Sequence, residues 1–412
     1  MATDGIKDRE SEPEIEPAEE LQDEDEVAEN ELAEEPQTKR KHARTEKRKI
    51  RYAVVGLGYI AQIAILPAFA HAKENSELVA LVSSDPDKIK ALSQKYKVRN
   101  TYSYEEYADC LASGEIDAVY ITLPNHMHRA YAEAAAQKGI HVLCEKPLAV
   151  DEIECQAIID AARDGNVKLM TAYRLHFEQG NLTSMQSIRE GKIGEPRIFR
   201  SAFCQQVEKG NSRLRGEDHA GPLEDMGIYC INAARYLFSS EPTEVFARAE
   251  SGSDERFREV PEMWAATMMF PDHRLATFTC SFGAADESSY EVIGTKGVLK
   301  MDPAYEMATD LKGELVIDDK TKNSTYKKRD QFGPEIVYFS NCILENREPE
   351  PNGAEGLADV RITQALIESS KKNQPVKVSA SFDGRRPSPE QEISLPAVKP
   401  PQLVRAASPS GA

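Results

Sequence analysis

The chain has 412 residues, 40% of them hydrophobic, which is enough for more than one ordinary domain and a sizeable core. Its formal charge of -18 excludes nonspecific nucleic-acid binding. No apolar run approaches the length of a membrane-spanning helix and no apolar leader opens the chain, so no membrane partner and a cytoplasmic location are expected.

Charge is unevenly spread at the start. Residues 1–37 hold about 16 acidic and 2 basic side chains, and 38–51 hold about 8 basic ones and one Glu. With almost no large apolar residues, 1–49 cannot offset the entropy of ordering and is expected to be a disordered, solvated tail. The seven cysteines form no CxxC pair and are odd in number, which favours a reducing compartment and thiols used as small apolar residues.

Order is expected from Ile50. Arg51–Val55 reads as a buried strand, followed by Gly56-Leu-Gly58 and an apolar helix over Ile60–His71. A second strand spans Leu78–Ser83, then helices Pro86–Tyr96 and Tyr104–Ala112. The third strand, Ala118–Thr122, ends at Leu123-Pro124-Asn125. An Ala-rich helix over Tyr131–Lys138, a strand Ile140–Cys144, a helix Asp151–Asp164 and a strand Lys168–Ala172 complete the run. Strands alternating with helices predict a parallel, doubly wound sheet over 50–171.

The pattern then changes. After a helix over Asn181–Glu190 come longer strands at Pro196–Gln206, Glu244–Glu250, Ala265–Phe270, Leu275–Ser281, Ser289–Gly294 and Gly297–Met301. Several alternate polar and apolar residues, which predicts a large, open, mainly antiparallel sheet with one face covered. Helices at Pro334–Glu345 and Ala354–Ser370 close an α+β domain over 172–379, and the Pro/Ser-rich segment 380–412 reads as disordered.

The segment Gly56-Leu-Gly58-Tyr59-Ile60-Ala61 follows a strand and opens a helix. Gly56 permits the tight turn, Gly58 lets the backbone approach a pyrophosphate, and Ala61 lets helix pack closely on strand. Free N–H groups at the helix start favour the anion. This is a dinucleotide-binding, Rossmann-type signature. At the end of the second strand an acid would bind ribose hydroxyls and select NAD. Here stand Ser83 and Ser84, with Lys88 in the next helix, a set that suits a 2′-phosphate and NADP. The opposing reading is that Asp85 reaches the ribose and NAD binds.

The fourth strand runs into Glu145-Lys146-Pro147. Ligands of open α/β sheets bind outside the carboxyl ends of strands, which places Lys146 toward the nicotinamide; composition alone would make it a surface lysine. In Leu223–Asn232, helical spacing puts Asp225, Tyr229 and Asn232 on one face. Polar groups on the inward face of an apolar helix are costly unless they have partners or a task. Tyr229 could equally bury its ring and cap a polar network.

The motifs GLGYIA, TLPNHMH at 122–128, CEKPLAV at 144–150, AYRLHFEQ at 172–179 and EDMGIYCINAARYLF at 224–238 resemble the glucose–fructose oxidoreductase / inositol dehydrogenase (Gfo/Idh/MocA) family. The likeness runs from about 50 to 378, and YRLH and DxGIY are most similar to the glucose–fructose oxidoreductase branch. It implies an oxidoreductase moving a hydride between the nicotinamide and a sugar or polyol carbon, with a keto-sugar or anhydro-sugar reductase as the near alternative. A catalytically silent dinucleotide sensor is the alternative of another class. It implies that Tyr229 exchanges the hydroxyl proton and that Lys146 binds the same oxygen. A cation ~4 Å from a charge at an effective dielectric of 20 is worth about 4 kcal/mol, enough to ease ionisation of a phenol. Asp225 would orient Lys146 or the substrate, Asn232 a sugar hydroxyl. Arg174 would lie near nicotinamide or substrate, Leu123, Pro124, Asn125, His128 and Glu145 beside the cofactor, and Arg213 toward the adenine. Ser212 and Ala220-Gly221-Pro222 depart from that branch and weaken the inference of very tight cofactor binding, and its twin-arginine export signal is absent. His126 and His128 have no further ligands at metal spacing, so no metal is expected. The open sheet implies a homo-oligomer, a dimer or tetramer.

Overall fold

The computed structural model describes residues 48–379 and 384–411. The acidic stretch expected to be disordered lies outside the described residues.

Six parallel strands form the first sheet: β1 (Ile50–Val55), β2 (Ser76–Val82), β3 (Asn100–Tyr102), β4 (Ala118–Ile121), β5 (His141–Glu145) and β6 (Leu169–Ala172), ordered β3-β2-β1-β4-β5-β6. The strand order reverses between β1 and β4, where such sheets open a crevice for ligands. After Gly58 the chain makes a wide π turn, Ala61–Ile65, that continues as α1 (Leu66–Ala68). The helices α2 (Pro86–Tyr96), α3 (Tyr107–Ala112), α4 (His128–Gln137) and α5 (Glu152–Asp164) supply the remaining crossovers. Asp85 starts α2 by accepting from the N–H groups of Asp87 and Lys88, which satisfies two donors that a helix start leaves free.

The second sheet has nine strands: β7 (Pro196–Cys204), β8 (Glu244–Glu250), β9 (Met263–Phe270), β10 (Arg274–Ser281), β11 (Glu287–Gly294), β12 (Gly297–Met301), β13 (Leu311–Ile317), β14 (Lys320–Tyr326) and, past a short β15 (Arg329–Asp330), β16 (Val376–Lys377). All its pairs are antiparallel except β7 with β10. The expected fold class therefore stands. The helices α6 (Gln179–Arg189), α7 (Ile228–Phe238) and α9 (Gly353–Lys372) cover one face, packing on inward residues such as Phe199, Met268 and Phe278. The other face is open. Ile198, Leu275 and Met269 lie side by side across β7, β10 and β9, each more than 40% exposed.

Two features differ from expectation. The helix α8 (Gly333–Leu344) follows the large sheet in the chain but covers the first one: Ile336, Phe339 and Cys342 pack with Tyr52, Tyr120 and Met170. And the tail expected to be disordered is placed over 384–411. It adds β17 (Leu395–Pro396) to β15 and lays Ile393 and Val404 against the core of the first sheet. Its apolar residues are few, yet Ile393 and Val404 find places against that core, which composition does not register.

Candidate active site

The crevice between β1 and β4 is built by two loops bound to each other. Gly56 adopts φ 96°, and a side chain there would stand 2.8 Å from the carbonyl oxygen of Thr122. Thr122 Oγ1 in turn donates to Gly56 O at 2.8 Å. Gly58, by contrast, faces open space where a Cβ would be. One glycine is thus required by the protein's own packing, and the other leaves its backbone accessible to a phosphate.

A cavity of about 430 Å³ extends from this loop, lined by Gly58, Tyr59, Ile60, Lys88, Thr122, Leu123, Pro124, Asn125, Lys146, Arg213 and Asp225. These residues fit a dinucleotide, with glycine backbone for the pyrophosphate and Lys88 at the β2 end. A second cavity of about 600 Å³ adjoins it, sharing Tyr59, Ile60, Lys146, Arg213 and Asp225 and adding Glu145, Arg174, Phe203, Tyr229 and Tyr305.

At the junction sits a line of charges. Lys146, at the carboxyl end of β5, donates from Nζ to the Asp225 carboxylate and to its main-chain oxygen, both at 2.7 Å. Arg213 Nε donates to the other carboxylate oxygen at 2.6 Å. Burial opposes charge on both Lys146 and Asp225. The attraction outweighs it, so the ammonium is held above its ordinary value and the carboxyl well below the usual carboxylate range. Glu145 has no such cation in contact; burial pushes it up to about 7 despite Lys146, and it shares the hydroxyl of Tyr120 with Glu335, each at 3.1 Å.

Tyr229, the second residue of α7, turns its ring edge-on to Phe203, with centroids 5.4 Å apart. Here the structure adds a contact, that of Arg174, to those expected. The Lys146 ammonium lies over the ring face, 4.9 Å from the centroid, and its hydrogen bonds go to Asp225. The cation at the phenolic oxygen is Arg174, whose Nε donates to it at 3.1 Å. Arg174 is itself buried, donating also to Gln331 and to the Tyr305 carbonyl.

Several expectations are corrected. Asn232 lies outside both cavities: its Oδ1 accepts from His176 at 2.7 Å and its amide donates to Glu355 and Asp359, so no sugar hydroxyl is within its reach. A second π turn, Leu223–Gly227, precedes α7, with the Ile228 N–H donating to Leu223 O, and Asn232 lies about one turn further along α7 than Tyr229, which does line the larger cavity. His128 is buried with its ring nitrogens 2.9 Å from the carbonyl oxygens of Leu123 and Pro147, so it positions both loops and lines neither cavity. Ser83 is buried, its Oγ accepting from Asp85 N, and Ser84 faces outward; neither lines the cavity. Arg213, expected toward the adenine, is bound to Asp225. The sequence reading missed Thr122, signalled only by its place at the end of β4, and the tail residues Arg405–Ala407, which no motif marks.

The sheet order, the glycine loop and the paired cavities define an oxidoreductase with an NAD-binding Rossmann domain. Residues 50–173 match the oxidoreductase family, NAD-binding Rossmann fold, and 182–300 match the GFO/IDH/MocA C-terminal domain; the chain belongs to the Gfo/Idh/MocA oxidoreductase family. It is 31% identical over 337 residues to the NADP(+) D-xylose 1-dehydrogenase of Haloarcula marismortui, covering 80% of this chain and 93% of that one. Among solved structures, the aldose-aldose oxidoreductase of Caulobacter crescentus, complexed with glycerol, superposes with a TM-score of 0.77 at 34% identity, over 80% of this chain and all of that one. A levoglucosan dehydrogenase shares the fold, with a TM-score of 0.72 at 22% identity over 81% of this chain and all of that one.

Proposed function

We propose that the protein is an NADP-dependent oxidoreductase acting on a hydroxyl or carbonyl carbon of a neutral sugar or polyol. The observation that carries this reading is Tyr229: its oxygen accepts from Arg174 and its ring borders the cavity next to the dinucleotide crevice. When bound, the nicotinamide supplies or accepts the hydride. Tyr229 takes or returns the hydroxyl proton. Because Arg174 donates to the phenolic oxygen, the hydroxyl hydrogen is left for the substrate, and charge that builds on that oxygen is met by a buried cation. Lys146, fixed by Asp225, presents an ammonium at the boundary of the two cavities, where the reacting oxygen would lie.

The wall of the larger cavity supports the substrate class. Asp286, Glu287, Asp302 and Glu306 line it with Phe203 and Tyr305. Carboxylates accept from sugar hydroxyls and repel a substrate that is itself an anion. The named activities of the xylose dehydrogenase and the aldose-aldose oxidoreductase agree with a sugar. A keto-sugar reductase would use the same residues in the opposite direction. A silent sensor is disfavoured by the assembled Lys146–Asp225 and Arg174–Tyr229 pairs.

Two domains, 50–171 and 172–379, would divide the work, the first holding cofactor and the second substrate. The open face with Ile198, Leu275 and Met269 would be covered by a second copy, since apolar rows on a large open sheet are an association hazard. The buried, unpaired cysteines suit a reducing compartment such as the cytoplasm.

The test is a panel of neutral aldoses, polyols, keto-sugars, aldonates and sugar phosphates, run in both directions and followed at the absorbance of reduced nicotinamide. Neutral members should turn over. Tyr229→Phe should lower kcat by roughly 10³-fold while NADPH binding stays near normal. Full activity in that variant removes the assignment.

A further inference from the structure

The described tail ends as a strap across the dinucleotide cavity. On one side Val404 is held in both directions: Gln62 Nε2 donates to its carbonyl at 2.9 Å, and its N–H donates to Gln62 Oε1 at 2.8 Å. Gln62 is only 1% exposed and sits in the π turn that follows the glycine loop. On the other side the N–H of Glu208, in the loop after β7, donates to the Pro409 carbonyl at 2.8 Å, and Pro409 is buried at the rim of the larger cavity. Between the anchors, Arg405, Ala406 and Ala407 form part of the wall that faces Lys88 and Gly58.

Arg405 is the informative member. It adopts φ 47°, a left-handed conformation uncommon for a non-glycine residue. The kink carries its guanidinium to the start of α2, where Nη1 lies 2.7 Å from Asp87 and 3.3 Å from Asp85. That is the end of β2, where the adenosine ribose of a dinucleotide lies on this kind of sheet. We propose that the C-terminal strap completes the dinucleotide site and that Arg405, with Lys88, recognises the 2′-phosphate of NADP.

The chemistry is specific. Asp85 occupies the neighbourhood in which an acid selects NAD, and a bare carboxylate there repels a 2′-phosphate. Its Oδ1 caps α2, and Arg405 neutralises it from the outside. Both ion pairs run through one nitrogen, and a guanidinium has five donors in a planar fork that matches phosphate oxygens. An exposed ion pair contributes little to stability, so merely clamping the tail is a weak reason for this cation. Gln62 and Glu208 already hold the strap on either side. Neither Ser83 nor Ser84 lines the cavity, which among the described residues leaves Lys88 and Arg405 as the lining cations at this end.

The proposal rests on the cofactor reading above, and the experiment separates the two. Cofactor-stripped wild type, Arg405→Ala, Arg405→Lys and Lys88→Ala are titrated with NADPH and with NADH, following nicotinamide fluorescence, so that the readout is binding and not turnover. Arg405→Ala should weaken NADPH by ~10- to 30-fold, the effect expected for a charge-assisted hydrogen bond, and change NADH less than about twofold. Arg405→Lys should recover part of the loss. Equal weakening of both dinucleotides makes the strap a plain wall and overturns the assignment, as does no change in either. If Lys88→Ala loses the NADPH preference while Arg405→Ala keeps it, the cofactor reading stands and the role of Arg405 falls. If wild type prefers NADH, both fall.

Discussion

Asp225→Asn removes one charge and almost no volume from the junction of the two cavities. In the wild type Lys146 Nζ lies 2.7 Å from Asp225 Oδ1. At an effective dielectric of 20, two unit charges ~2.7 Å apart attract by about 6 kcal/mol. Burial already pulls the Lys146 ammonium toward its neutral form, and Asp225 is the largest of the charges that reverse this. Without the carboxylate, burial is opposed only by the weaker pulls of Tyr229 and Glu145, while Arg213 loses its partner in the same pocket. Retaining even half of that attraction as lost stabilisation amounts to roughly a 10²-fold fall in the ammonium's proton affinity, which moves its titration down from above the ordinary lysine range toward the alkaline end of an enzyme assay. The variant should therefore lose turnover toward the alkaline end of a pH 6 to pH 9 series, where wild type does not fall. Its deficit should be smallest at the acid end, where Lys146 is protonated in both proteins. The assay is kcat and kcat/KM across that range for both, with circular dichroism to confirm folding. A deficit of the same size at every pH would refute the reasoning, because Asp225 would then serve geometry alone.

The remaining expectations concern stability and the glycine loop. Asn232→Leu should cost about 2–4 kcal/mol, since it takes one hydrogen-bond partner each from His176, Glu355 and Asp359 in a buried cluster; urea denaturation would show this, with NADPH affinity unchanged. Gly56→Ala forces an L side chain to φ 96° and against Thr122, so a loss of about 1–3 kcal/mol together with weaker NADPH binding should appear in melting and titration experiments. Glu145, pushed up to about 7, holds a proton in the folded state where the unfolded chain has released it. Stability from this group is therefore present at low pH and declines as pH rises from the usual carboxylate range toward 7, and Glu145→Gln should flatten that part of the profile in chemical denaturation.

What could be read from the residues alone follows from how local each cause is. Gly56, Gly58 and Ala61 each answer a stereochemical demand within a few positions, so the crevice was legible. Alternation of short apolar strands with helices, then of polar with apolar residues, gave both sheets. The hairpin of β13 and β14 was not expected, because Lys322, Asn323 and Ser324 belong to an edge strand facing water and show no apolar face. Asn232 was misplaced because helical spacing gives a residue's face but not what packs against it, and its partners His176, Glu355 and Asp359 come from other elements. The strap was missed for a related reason. Val404 and Pro409 are held by Gln62 and Glu208, partners far away in the chain, and a Pro/Ser-rich composition carries no trace of them.

The charges at the junction divide the chemical labour. Lys146 is held protonated and Asp225 ionised, each by the other, so across neutral pH neither gains or loses the proton of the reaction. In the proposed reaction they would act as fixed charges that locate an oxygen atom. Glu145 titrates near neutrality, but its carboxyl is turned to Tyr120 and Glu335 on the side of α8. That leaves Tyr229 as the hydroxyl at the cavity wall whose oxygen is already supplied with a donor by Arg174. The arrangement explains why one arginine is buried beneath the tyrosine and the lysine is set over its ring. A lysine bound to both the phenolic oxygen and Asp225 would have to divide its donors, whereas here Arg174 serves the tyrosine oxygen and Lys146 would keep an N–H for the proposed substrate.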